Sequence, residues 1–356
     1  MRAKGLFVEQ VPGTVLSLAE RTGFTRRLQD SVWRQKRLLI LSYHGVSLND
    51  EHVWNPSLYI EARVLRGRLA YLREAGYNVI GLDEGVRRLY DRSLPPCSVV
   101  ITFDDGFYDF YRAAFPLLRE FGYPATVYLT TYYSEFNRPV FDPMVDYLLW
   151  KSRGRRLTFS GVLNEPVVLD DHGRAGAGRR IRAFARAGGL SGEAKDRLLA
   201  TLAERVGIDY EALCRDRMLH IMNSAEAREV ASHGIGLELH MHRHRVSRYR
   251  EAFVQEIEEN RKRIRALSNV EPRHFCYPGG FLLPEFPVWL REAGIISATT
   301  CKPGICSPGS FPWLLPRFVD SNSNTMLSFS SWATGMRPLF PRPDQKMSRG
   351  QLLEGD

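Results

Sequence analysis

Long hydrophobic runs are missing from this 356-residue chain, and cysteine is scarce. No stretch approaches the roughly 20 apolar residues that a membrane-spanning helix needs, so a helical membrane protein is excluded from the reading. The five cysteines (Cys97, Cys214, Cys276, Cys301 and Cys306) are odd in number and scattered, with no Cys-x-x-Cys. They form neither a disulfide framework nor a cysteine metal site and read as reduced thiols in a cytosolic chain. The opening "MRAKGLFVEQVPGTV" lacks the continuous apolar core and small-residue cleavage site of a signal peptide. The expectation is a protein that stays inside the cell. Zinc-finger spacing, an RNA-binding aromatic motif and a concentrated basic arm are absent too, so nucleic acid is not an expected partner. There is no internal repeat.

What is present is ordinary in amount and informative in order. An apolar content of 44% with 25% charged residues suits one large globular domain or two modest ones. The net charge of +9, carried mainly by arginine, favours anionic partners such as membrane surfaces. Residues 1–37 hold eight Lys/Arg against three Asp/Glu. Their apolar residues Phe7, Val8, Val11, Val15, Leu16 and Leu18 allow a weakly amphipathic helix that could touch an anionic membrane surface or pack on the domain.

From "RLLILSYHGV" onward, strand and helix patterns alternate. The apolar run 38–43, the short "YNVIG", the run 98–103 and "PATVYLTT" read as strands, with helical periods between them. This order predicts a mainly parallel sheet, open or closed into a barrel. Residues about 133–222, rich in Arg, Gly and Glu, break the alternation and read as a mostly helical insertion. Asp142 starts its first helix, where an N-cap is the plainer reading than a ligand. Strands resume at "IGLELH", "PRHFCY", "IISATT" and "PRFVD", and residues 336–356 are expected to form a flexible tail.

The chemistry gathers at the ends of these strands, where parallel α/β folds place their ligands. "SVVITFDDGF" ends a buried strand with Asp104 and Asp105, two carboxylates that repel unless something positive compensates. Read alone, the pair is an ordinary turn and helix cap. Four of the nine histidines (His44, His240, His242 and His244) stand at two other strand ends. Two histidines four residues apart, matched with an Asp at another strand end, fit a divalent metal with open positions for water and substrate. Zinc suits such a set; cobalt, nickel and iron are compatible with it.

In order, "TFDDG", "HMHRH" and "FCYPGG" resemble the motifs of the NodB-type polysaccharide deacetylases, metal-dependent carbohydrate esterases on an irregular (β/α) barrel. The similarity covers about residues 38–320, least in the insertion, and implies a barrel over 38–335. It implies Asp104 as the general base, Asp105, His240 and His244 as metal ligands, and the Gly279 N–H as an oxyanion donor. Met241 stands where the family has a hydroxyl, and Cys276 where it has the arginine that pairs with the catalytic Asp. Arg317 is the candidate replacement, with a plain surface residue as the equal alternative. The family's late histidine acid has no counterpart, since no histidine follows His274. His44 could supply the acid or orient substrate, or leaving-group protonation could fall to Asp104. His242 reads as supporting structure.

The function so implied is hydrolytic removal of an N-acetyl group from an amino sugar in a polysaccharide, oligosaccharide or lipid-linked glycan, a precursor at the inner membrane face fitting a basic cytosolic chain. Another C–N or ester deacylase, such as an O-deacetylase or deformylase, is the alternative within enzymes. A catalytically silent glycan-binding relative is the alternative outside them. Tyr43, Trp54, Phe107, Tyr132, Tyr133 and Trp313 could stack on sugar rings, or simply fill the core.

Overall fold

The most apolar stretches of the chain become the middle of one parallel sheet. Leu39–Tyr43 (β1) and Ser98–Phe103 (β5) are buried at every position, as strands covered on both faces require. In this computed structural model, which describes Thr14, Leu18 and residues 21–340, they pair in parallel from Leu39 opposite Val99 to Tyr43 opposite Phe103. Thr126–Leu129 (β6), Gly236–Leu239 (β9), His274–Cys276 (β10), Ser297–Thr299 (β11) and Phe318–Val319 (β12) complete the order β11-β10-β9-β6-β5-β1-β12, with Asn78–Val79 (β4) beside β5. A bridge between Thr299 and Leu315 links the β11 edge to the segment entering β12, so the sheet curls on itself. This is the irregular (β/α) barrel that the alternation implied.

Helices cross between the strands. Leu82–Tyr90 carries Asp83 and Glu84 in its first turn and Arg87 and Arg88 in its last, matching the helix dipole at both ends. Two small features escaped the sequence reading. Gly45–Ser47 (β2) and Tyr59–Glu61 (β3) form a separate parallel pair just beyond β1. The helix after β5 opens with a wide π turn, Phe110–Ala114.

Residues Tyr133–Asn223 form a second compact unit. It contains the helices Phe141–Lys151, Asp171–Ala187, Gly192–Val206 and Tyr210–Arg215. Asp170, Ser191 and Asp209 cap three of them by accepting a backbone N–H three residues on. Asp142 is not a cap: Val140 holds that position and Asp142 lies in the first turn. The unit is not wholly helical, because Arg156–Leu157 pairs antiparallel with Val167–Val168.

Of the expected terminal segments, residues 1–13, which include Phe7, Val8 and Val11, lie outside the described residues, as do Val15 and Leu16 and residues 341–356. Met336 and Arg337 are buried. Among the described residues no helix is long and apolar enough to cross a membrane.

Candidate active site

The carboxyl ends of β5, β9, β10 and β12 converge on Asp104. Its backbone N–H continues the ladder to Tyr43 O at 2.8 Å, which turns the side chain into the barrel, 1% exposed. Arg317, at the entry to β12, meets it with Nη1 on Oδ1 and Nη2 on Oδ2, both at 2.7 Å. The other guanidinium hydrogens reach Thr300 O, Thr102 Oγ1 and Cys276 Sγ, at 3.0, 3.2 and 3.1 Å. Every Arg317 donor therefore has an acceptor, which is what a fully buried cation needs. Arg317 is not a surface residue. Burial alone would push the Asp104 carboxyl up, but the Arg317 charge and its hydrogen bonds outweigh it and bring the pKa down to about 2.

Asp105 turns the other way. Its φ of +67° is a left-handed conformation that non-glycine residues rarely adopt, and Gly106 follows at +81°. A Cβ on Gly106 would lie 2.4 Å from Leu129 Cδ1, so the second position of the turn admits only glycine. The turn aims Asp105 Oδ1 at His240 Nε2 and His244 Nε2, each 3.2 Å away. The histidines lie on an irregular loop after β9, not on a helical turn, and the loop is bent by positive φ at Met241 and His244.

The donor set fits a cation. His240 Nδ1 lies 2.9 Å from Cys276 O; a carbonyl only accepts, so the proton sits on Nδ1 and Nε2 presents a lone pair. That lone pair faces a carboxylate oxygen at 3.2 Å, an arrangement of acceptors that repels unless a positive charge lies among them. Ligand atoms of Asp105, His240 and His244 all lie within 4.8 Å of one another, so a divalent ion could bind all three. Burial raises the Asp105 carboxyl, but His244 and then His240 hold it well below the usual range.

The remaining residues take definite places. His44 Nε2 is 3.6 Å from Asp104 Oδ2, and its Nδ1 is buried without a hydrogen-bond partner among the described residues. Gly279 occupies the Pro278–Gly280 turn with φ +59°. His242 is buried against Thr131 Oγ1 at 2.9 Å, and its carbonyl accepts from Thr131 and Tyr132 N–H. It joins the histidine loop to the end of β6, and burial pulls its pKa down to about 4. Of the rim aromatics, Tyr43 and Phe107 are buried core residues.

Asn260 was missed. From the helix Arg250–Ser268 its Oδ1 accepts the His240 N–H, while Nδ2 donates to Leu129 O and Thr131 Oγ1. Its signal was in the sequence: it falls on the buried stripe Phe253, Ile257, Asn260, Ile264, where an amide needs a reason. Asn260→Leu is expected to weaken metal binding about 10–100-fold by freeing the His240 backbone. Chelator competition measures this, and unchanged affinity would remove Asn260 from the positioning set.

A parallel barrel with two adjacent carboxylates and two histidines at its strand ends defines a class of hydrolase, and comparison with known proteins agrees. A polysaccharide deacetylase family model matches residues 91–148 and 209–295. The chain belongs to the NodB-type polysaccharide deacetylase family. Over 100 residues it is 33% identical to the poly-beta-1,6-N-acetyl-D-glucosamine N-deacetylase of Escherichia coli K12, a match covering 28% of this chain and 14% of that one. The chain thus spans only a small part of that curated relative's length.

Two solved structures share the fold. The Streptococcus pyogenes deacetylase PplD, determined with acetate, superposes with a TM-score of 0.53 at 16% identity, covering 80% of this chain and 93% of that one. IcaB from Ammonifex degensii gives 0.54 at 18%, covering 84% and 97%.

Proposed function

We propose that the protein is a metal-dependent hydrolase that removes N-acetyl groups from an amino sugar of a glycan. The observation that carries this reading is the division of labour between neighbouring carboxylates. Asp104 is kept ionised by Arg317 and faces no ligand, while its neighbour Asp105 faces two imidazoles. A bound divalent metal, zinc by the nature of the donors, would be held by Asp105, His240 and His244 and would supply Lewis acidity to the attacking water and the acyl oxygen.

The chain's own groups do the rest. Asp104 receives the proton of the attacking water, on the Oδ2 that faces His44. His44 stands within reach of the same region, where it orients the substrate or hands a proton to the departing amine. The Gly279 N–H, in its exposed turn, is assigned to the developing oxyanion. A glycan of N-acetylglucosamine type is the substrate class suggested by the Escherichia coli relative's name. We place the reaction at the inner membrane face, on a lipid-linked precursor, in keeping with the net charge of +9 and five unpaired cysteines.

The test pairs metal analysis with acetate release from acetylated chitooligosaccharides. Wild type should hold near-stoichiometric metal and release acetate; Asp105→Ala and His240→Ala should lose both. Metal without acetate from any acetylated glycan would shift the reading to other acyl groups. Wild type that binds no metal after reconstitution would sink the mechanism and favour a glycan-binding protein.

A further inference from the structure

Surface arginines in this protein are usually paired. Arg63 meets Glu61, Arg66 meets Glu120, Arg88 meets Glu84, Arg250 meets Glu292 and Arg261 meets Glu258. One helix departs from this habit. Asp171–Ala187 buries Ala177, Gly178, Ile181 and Ala185, and at its flank Arg182 reaches Asp146 at 2.9 Å. Its outward side carries Arg179, Arg180 and Arg186, all exposed, none with a hydrogen bond or ion pair among the described residues. Between them on that side stands Phe184, 41% exposed. The helix has a single acid, Asp171, at its far end and already bound to Arg174.

The spacing puts these residues together. Positions 179, 180, 183, 184, 186 and 187 are neighbours at i+3, i+4 and i+7, so one face of the helix holds three unneutralised guanidiniums around one aromatic ring. Three like charges crowded on one face repel, and leaving a phenylalanine among them in water gains nothing for the fold. Both features become favourable against a surface that supplies negative charge in a plane and an apolar layer just beneath it. Lipid headgroups with anionic phosphates do this, because guanidinium binds phosphate in a forked geometry while an aromatic ring inserts at the boundary. A soluble polyanion would satisfy the arginines but not the ring.

We infer that the Arg179–Arg180–Phe184–Arg186 face of the helix Asp171–Ala187 is a docking surface for an anionic membrane. The inference deepens the membrane-face reading above by giving it a surface, and its test is independent of acetate release. The full chain is sedimented with vesicles of phosphatidylcholine alone or with a phosphatidylglycerol fraction, over a range of salt.

Wild type should bind the anionic vesicles at least tenfold more tightly than the neutral ones, with affinity falling as salt rises. The variant Arg179→Gln/Arg180→Gln/Arg186→Gln should lose most of that preference, and Phe184→Ser should weaken binding without changing the salt slope. Equal binding to both vesicles would overturn the proposal. So would full binding by the triple variant, which would locate the contact elsewhere, such as the basic N-terminal segment. Insensitivity to Phe184→Ser, with complete competition by soluble polyglutamate, would overturn it in favour of a polyanion site. All the substituted side chains are solvent-facing, and an unchanged Tm in each variant checks that the fold is intact.

Discussion

Replacing Arg317 by methionine should destabilise the metal-free protein by about 3–5 kcal/mol at pH 7, because it strands the Asp104 carboxylate in the barrel without its counter-charge. The pH dependence has a definite sign. In wild type the folded pKa of Asp104, about 2, lies below the ordinary 3.8. The pair therefore contributes stability above about pH 4 and loses it as pH falls through 2. In the variant only burial remains, the folded pKa rises above the unfolded one, and stability increases as acid protonates the carboxyl. Chemical denaturation of chelator-treated protein at pH 8 and pH 5 measures the two slopes, wild type flat and the variant rising toward acid. Asp104→Asn combined with Arg317→Met removes both charges and should be more stable than Arg317→Met alone. A single variant as stable as wild type would mean that the bidentate pair contributes nothing to the fold.

The second large effect falls on the reaction. Asp104→Asn preserves the shape of the side chain and removes its proton-accepting charge, so kcat/KM should drop about 10²–10⁴-fold. Metal content should not change, since Asp105, His240 and His244 remain. Steady-state acetate release alongside elemental analysis makes the comparison. Activity within tenfold of wild type, metal retained, would transfer the base role to another group, with His44 the nearest at 3.6 Å.

The parts of this site that were legible in the sequence are those tied to strand ends. Asp104, Asp105 and the histidine pair each follow an apolar run, and the parallel fold brings such ends together, so position along the chain carried the geometry. Arg317 was legible only as a choice between two readings. An arginine before a short strand looks the same whether it points to water or into a barrel, and the deciding fact, a buried acid 213 residues earlier, is a tertiary one. Asn260 was overlooked because attention went to titratable groups, although an amide on an apolar stripe is itself a mark of a buried polar junction.

Local conformation was harder still. The four-residue spacing of His240 and His244 suggested a helical turn; the loop instead reaches the same convergence through left-handed residues at Met241 and His244. No propensity argument favours a methionine there, and tertiary packing imposes it. The β2–β3 pair was missed for a related reason: three-residue strands are too short to show a period.

Arg317 stands at the start of the last strand of the sheet, while its partner belongs to a strand near the middle of the order and early in the chain. During synthesis the segment through β5 emerges long before β12, and a carboxylate cannot settle into an apolar barrel without a partner. The interior around Asp104 is therefore barred from closing until nearly the whole chain is available. Formation of the ion pair is a late, long-range event, and it acts as a checkpoint: a nascent chain stopped short of residue 317 retains a wet, open barrel and cannot complete the charge arrangement on which the proposed chemistry depends.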